Sequence, residues 1–314
     1  MDKITIGISR CLLGEKVRYD GGHKHDRYIT DTLGQFFHFV PVCPEVECGL
    51  PVPREPMHLA DDVDNPRLVT VHTGIDHTER MKQWAEKRLD ELAGQELSGY
   101  IFKCRSPSSG MRGVKVYMGS APPVHRGVGL FAAAFMKRFP LIPVEDENRL
   151  HDPGLRESFI KRVFVFERWR EFTKTGGSLK DLVEFHSNHK LLVMAHSQKH
   201  LSALGKLVGG AKGFGQDLCT TYIETLIEGL RLIATTRKNT NVLQHILGYF
   251  KKDLTGAEKK DLLEIIDAYH RGLIPLVVPV TLLNHYVRKY DKPYLEEQHY
   301  LNQHPLELML RNHA

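Results

Sequence analysis

Short apolar stretches rich in β-branched and aromatic residues alternate with helical ones over residues 1 to 150, and nothing else in the chain restricts its fold as strongly. "KITIGIS", "FFHFVPVC" and "SGYIFKC" read as strands. Between them "HTERMKQWAEKRLDELAG" reads as a helix: Met81, Trp84, Ala85, Leu89 and Leu92 fall on one stripe, Thr78 can cap the start and Gly94 can end it. Strands alternating with helices imply an α/β fold with a largely parallel, Rossmann-like sheet and helices on both faces. In such a sheet the strand C-termini share one edge. Cys11 follows the first strand, Cys43 the second and Cys104 the third, so three residues distant in sequence are expected to converge there.

The pattern changes beyond "VEDENRLHDPG", an acidic and polar stretch that reads as a boundary. The rest of the chain is helical almost throughout. Ser178 with Asp181, and Thr255 with Glu258, stand at capping-box spacing, and Gly272 can stop the second of these helices. The expected organisation is an α/β domain over residues 1–155 and an all-α domain over 156–314. "LVGGAKGFGQDL" is glycine-rich, but it has neither a preceding strand nor the lysine of a phosphate loop, and reads as a helix connector.

At 314 residues each half is long enough to bury its own core. There is no apolar run long enough to span a bilayer, and the start "MDKITIGISRCLLG" reads as a strand, not a signal peptide, so a soluble cytoplasmic protein without a membrane partner is expected. Five cysteines cannot all pair, and a reducing compartment makes metal binding or catalysis the better reading. Residues 156–314 carry 23 Lys and Arg against 17 Asp and Glu, whereas residues 1–155 carry 20 against 21. That asymmetry suggests a polyanion footprint on the second half.

Three stretches carry chemistry together: "CLLGEKVRYDGG" (11 to 22), "CPEVECGLPVPRE" (43 to 55) and "SPSSG" (106 to 110). They resemble the motifs of the bacterial thiouracil desulfidase family, over most of residues 1–150. The helical half, with "HSNHKLLVMAHSQ" and "NVLQHILGYF", is similar to the second domain of two-domain members. The resemblance implies a 4Fe-4S cluster held by three cysteines, with its fourth iron open to the substrate's sulfur. It further implies transfer RNA as partner, with 4-thiouridine converted to uridine. DNA is not expected as a partner, and a homo-oligomer is left open. Desulfuration of free thiouracils and a non-catalytic RNA-binding protein are the alternatives.

By the family's pattern Cys11 and Cys43 are cluster ligands, Glu45 is the acid/base near the ring carbon, Ser106 is a proton relay and Asp20 lines the pocket. The family's third motif is Ser-Pro-Ser-Cys-Gly, and its cysteine position is Ser109 here. On that departure the chain is expected to hold little intact cluster and to be inactive as it stands. Cys104 as substitute third thiolate is the second reading; a serine alkoxide on iron is the third, because a hydroxyl is far harder to deprotonate than a thiol.

Each residue also has an ordinary structural reading. Glu45 could pair with Arg54 or Arg105, Ser106 and Ser108 could serve the turn, Cys48 could pack in its loop and Cys219 in the helical core. His186, His189 and His196 can share a helix face, which reads as a polar surface touching RNA ahead of a zinc site.

Overall fold

Strand β1 (Ile4–Ser9) runs parallel to β2 (Phe37–Val42), which leads into a one-turn helix α1 (Pro44–Glu47). The computed structural model describes residues 3–302 together with Pro305, Leu308 and Leu310. After α1 the chain leaves this sheet for β3 (Met57–Ala60) and β4 (Arg67–Thr70), an antiparallel pair, and then forms α2 (Thr78–Ala93). It returns as β5 (Tyr100–Phe102), on the other side of β1 from β2. A hairpin of β6 (Val114–Tyr117) and β7 (Val124–Gly127), helix α3 (Leu130–Arg138), strand β8 (Val144–Asp146) and the short α4 (Glu147–Leu150) come next. The main sheet therefore has the order β2-β1-β5-β8, with all neighbours parallel. The expected parallel α/β architecture is what forms.

Its packing follows from the side-chain alternation. Tyr100 and Phe102 on β5 pack against Ala85, Leu89 and Leu92 of α2 and Phe131 and Phe135 of α3. Gly7 lies beneath Tyr100, where an added Cβ would stand 2.2 Å from the ring, so this position of β1 has no room for a side chain. Ile6, Ile8 and Ile101 are fully buried. A second sheet, β4-β3-β6-β7, was not legible in the sequence, because its strands are only four residues long and lie amid polar loops. One of its faces is apolar, with Leu59, Leu68, Val114 and Val116 buried beside Met81 of α2.

The capping of α2 differs from expectation. The Thr78 hydroxyl accepts from the Leu68 amide of β4, while Asp76 takes the Thr78 amide. The residue thus ties the helix to the second sheet.

The chain divides into two compact units, Met1–Phe159 and Ile160–Ala314. The division falls inside α5 (Pro153–Lys174), and "VEDENRLHDPG" forms β8, α4 and the start of α5. Of its acidic residues, Glu145 pairs with Arg149 one turn on and Glu147 with Lys103, distant along the chain.

The second unit continues with α6 (Leu179–His196), α7 (Gln198–Gly209), α8 (Gln216–Arg231), α9 (Thr236–Gly248), α10 (Gly256–His270) and α11 (Val277–Lys289). Both capping boxes form, and the glycine-rich stretch ends α7 and connects it to α8. The expected histidine surface does not form, since His186, His189 and His196 are all buried. His186 bonds the Tyr222 hydroxyl at 3.2 Å, His189 stacks on Phe185, and His196 faces the Leu232 carbonyl at 2.5 Å. Shared spacing located a helix face but not its direction. Among the described residues no helix is long and apolar enough to cross a membrane.

Candidate active site

β1 lies between β2 and β5, so consecutive strands of the main sheet leave β1 toward opposite sides and the chain opens a crevice at its C-terminal edge. A cavity of about 420 Å³ occupies that edge. Cys11 enters its wall from a 3-10 turn, Arg10–Leu13, directly after β1; Cys43 enters where β2 ends; Cys104 and Ser109 enter from the segment after β5. Three thiols and the Ser109 hydroxyl thus belong to residues of one cavity wall, as the strand endings implied.

The thiols differ in setting. Burial, and then the negative charge of Glu45, push the Cys11 thiol up to about 11 and the Cys43 thiol up to about 12. Both are neutral at pH 7 unless a cation compensates them. Cys104 is half-buried, with Lys103 Nζ 3.2 Å from its sulfur. All five cysteines are unpaired thiols. Cys48 packs in its loop against the Glu45 carbonyl, and Cys219 is buried in the helical unit.

Glu45 sits in the first turn of α1, two residues after Cys43, and has the densest set of contacts. Its Oε2 lies 3.8 Å from Arg54 Nη2 and 3.5 Å from the Cys43 sulfur. Its Oε1 accepts from the Ser108 hydroxyl and faces the Ser106 hydroxyl at 3.5 Å. The ion pair with Arg54, offered by the sequence as the ordinary reading, exists together with the serine contacts. Ser106 does two things: its Oγ accepts the Ser108 and Ser109 amides, which makes the turn, and its side chain reaches the cavity wall. Ser108 is fully buried behind it, 3.0 Å away.

Asp20 is a correction. It is exposed and absent from the cavity wall, because its carboxylate folds back onto the Gly22 amide at 3.0 Å and pairs with Arg18. The Gly22 bond lowers its pKa. Its neighbours Arg18 and Tyr19 line the cavity instead.

Positioning residues that sequence reasoning missed are Glu47 and Glu147. Glu47 accepts the Cys43 amide at 2.8 Å and pairs with Arg10 and Arg88, both at 3.2 Å, which locks the Cys43 turn to α2. Glu147 accepts the Cys104 amide at 2.7 Å and pairs with Lys103. The SPSSG loop is held by α3, whose Phe131 and Ala132 amides both donate to the Ser108 carbonyl. Gly129 permits that approach, since a Cβ there would lie 2.5 Å from Ser108. None of these carriers has a sequence signal beyond being an acid or a glycine near a motif.

The donor set can be tested against a cluster. Among the described residues no three metal-ligating side chains close around a single ion. A four-iron cluster asks for something different, soft sulfur donors spread around a larger body, and Cys11, Cys43 and Cys104 around one cavity supply three. Six cations line the wall; Arg10, Arg18, Arg54 and Lys103 are paired with Glu47, Asp20, Glu45 and Glu147, which leaves Lys24 and Arg105 without a carboxylate partner among the described residues. Such a wall favours an anionic occupant. The residues fit.

A parallel α/β unit with thiols and a serine-held carboxylate at a strand switch point defines a class of sulfur- or metal-handling domain. Residues 6–147 match the family model described as 2-thiouracil desulfurase, and residues 190–305 match DUF1722, a protein family of unknown function. YbgA of Escherichia coli strain K12, an uncharacterized protein, is 30% identical over 158 residues, which is 50% of this chain and 94% of that protein. The solved structure of the [4Fe-4S]-dependent thiouracil desulfidase TudS is 32% identical, covering 48% of this chain and 95% of its own, at a TM-score of 0.40. The chain thus joins a domain that matches the 2-thiouracil desulfurase family to a domain that matches DUF1722, each over less than half of its length.

Proposed function

We propose that this protein removes sulfur from thiolated uracil in transfer RNA, converting 4-thiouridine to uridine in the cytoplasm, with a 4Fe-4S cluster held by Cys11, Cys43 and Cys104. The observation that carries the reading is the meeting of three cysteines and Glu45 on one cavity wall. Bound there by three thiolates, the cluster supplies an open iron, a Lewis acid for a thiocarbonyl sulfur.

The chain's own residues do the rest. Arg54 faces one oxygen of the Glu45 carboxylate and Ser108 donates to the other, so both are oriented before substrate arrives. Glu45 takes a proton from the water that attacks the ring carbon. Ser106 stands within reach of both Glu45 and the cavity, and passes protons between them. The water oxygen becomes the new carbonyl, sulfur leaves as hydrosulfide, and no electrons change hands. The basic surplus on residues 156–314 supports transfer RNA as substrate. Free thiouracil is the second reading, supported by the match of residues 6–147 to the 2-thiouracil desulfurase family.

Cys104 as third thiolate replaces the family position taken by Ser109, and two substitutions test it. In protein reconstituted without oxygen, Cys104→Ser is expected to abolish the brown absorbance and Ser109→Cys to leave it in place. Absorbance that survives Cys104→Ser, or that first appears with Ser109→Cys, assigns the third ligand to position 109 and makes the unaltered chain a protein without its cluster. Turnover of 4-thiouridine transfer RNA beside free 4-thiouracil then separates the two substrates, and a protein that binds RNA but turns over neither is a non-catalytic binder.

A further inference from the structure

The second sheet has an outer face that the desulfurase chemistry does not use. Burial alternates along β6: Val114 and Val116 point into the core, while Lys115 and Tyr117 are exposed. His58 on β3 and His125 on β7 join them in lining a cavity of about 830 Å³. Tyr117 is 38% exposed and meets the His58 ring edge-on at 4.7 Å, so an aromatic platform stands open.

The floor of this groove is cationic. Lys115 and Arg105 have no carboxylate partner among the described residues, and Arg112 lies 3.6 Å from Asp146, the only acid on the wall. The groove also adjoins the thiol cavity: Met57, Cys104, Arg105 and Pro107 belong to both walls. Arg105, at that shared rim, has φ of +57°, a left-handed conformation that a side chain rarely adopts. Backbone strain of this kind persists where the surroundings hold it in place.

We propose that this groove on the first unit, lined by His58, Arg105, Arg112, Lys115, Tyr117 and His125, holds the single-stranded RNA flanking the thiolated nucleotide. The inference rests on the transfer RNA reading above. A base that reacts inside a crevice must leave its stack, and its neighbouring phosphates then lie just outside the opening. Arg105 stands at that opening, with Arg112 and Lys115 beyond it for the next phosphates. Tyr117 offers a face on which an adjacent base stacks, the combination of cations and exposed aromatics by which sheet surfaces hold single-stranded RNA. The groove thereby orients the polynucleotide toward the cavity, whatever the helical unit contributes to overall affinity.

The experiment measures binding of unmodified transfer RNA and of a short oligouridylate to the full chain over a salt series, with circular dichroism confirming the fold. Lys115→Glu is expected to weaken binding roughly tenfold and to make the log-affinity against log-salt slope shallower by about one. Tyr117→Ala should weaken oligouridylate binding roughly tenfold with the slope unchanged. Lys87→Glu, the same charge change on the exposed side of α2, should leave both at the parent values. If the parent binds RNA and the groove variants bind equally well, or Lys87→Glu weakens binding as much as Lys115→Glu, the groove assignment is overturned and the substrate reading stands. A parent that binds neither RNA at low salt overturns both.

Discussion

Glu45 is the residue through which the geometry of this site becomes chemistry. A carboxylate fixed by one guanidinium and two hydroxyls cannot swing away, and its position beside Cys43 places it next to whatever the thiols hold. Glu45→Gln keeps the shape and loses the basicity. In reconstituted protein the visible absorbance and the RNA affinity should survive, while turnover falls roughly a hundredfold or more. Turnover near the parent level would reduce Glu45 to a loop anchor paired with Arg54. Ser108, unlike Ser106, acts from behind the wall, so its contribution is orientation of the carboxylate and not contact with substrate.

At the scale of elements, the site depends on how closely α3 approaches the SPSSG loop. The loop gives up the Pro107 and Ser108 carbonyls to three amides of the helix and the Gly110 carbonyl to the Gly129 amide, and Gly129 leaves no gap for a side chain between them. Gly129→Ala is therefore expected to push the loop off α3 and break the Ser108 contact to Glu45. The cost in stability is about 1–3 kcal/mol, the usual scale for overpacking. Turnover should fall more than stability does, because the loop carries two of the three side chains that orient Glu45. A melting temperature lowered with turnover intact would show that the loop moves without disturbing the carboxylate.

For the molecule as a whole, the two units should respond differently to acid. Burial, and then the charge of Lys190, lower the pKa of His186 from its ordinary value of 6.5 to about 4. Burial lowers His189 and His196 as well. An imidazole that stays neutral when folded and gains a proton when unfolded contributes stability above pH 6.5, and that stability is lost as the pH falls toward 4. For His186 alone the window is worth up to about 3 kcal/mol. The helical unit should consequently unfold at lower denaturant concentration at pH 5 than at pH 7. His186→Gln, which can still bond the Tyr222 hydroxyl, should flatten that dependence. A variant whose stability still falls steeply between those values would place the sensitivity in other groups.

How much of this was legible depended on range along the chain. The strands β1, β2 and β5, helix α2 and both capping boxes follow from patterns spanning a few residues, because alternation and caps are local physics. Parallel pairing then forces Cys11, Cys43 and Cys104 to one edge, so the cavity was already implied by the order of strands and cysteines. Only the tertiary structure decided which side chains face that cavity. Asp20 turned outward onto a backbone amide two residues away, the three histidines turned inward, and Glu47 and Glu147 came to hold the cysteine turns across 37 and 43 residues of chain. The outer face of the second sheet was equally out of reach, since β3 and β6 pair across a long sequence gap and their few residues carry too weak an alternation to reveal it. Sequence determines the period of each element; the direction in which its polar side chains point is set by partners brought together only when the chain has folded.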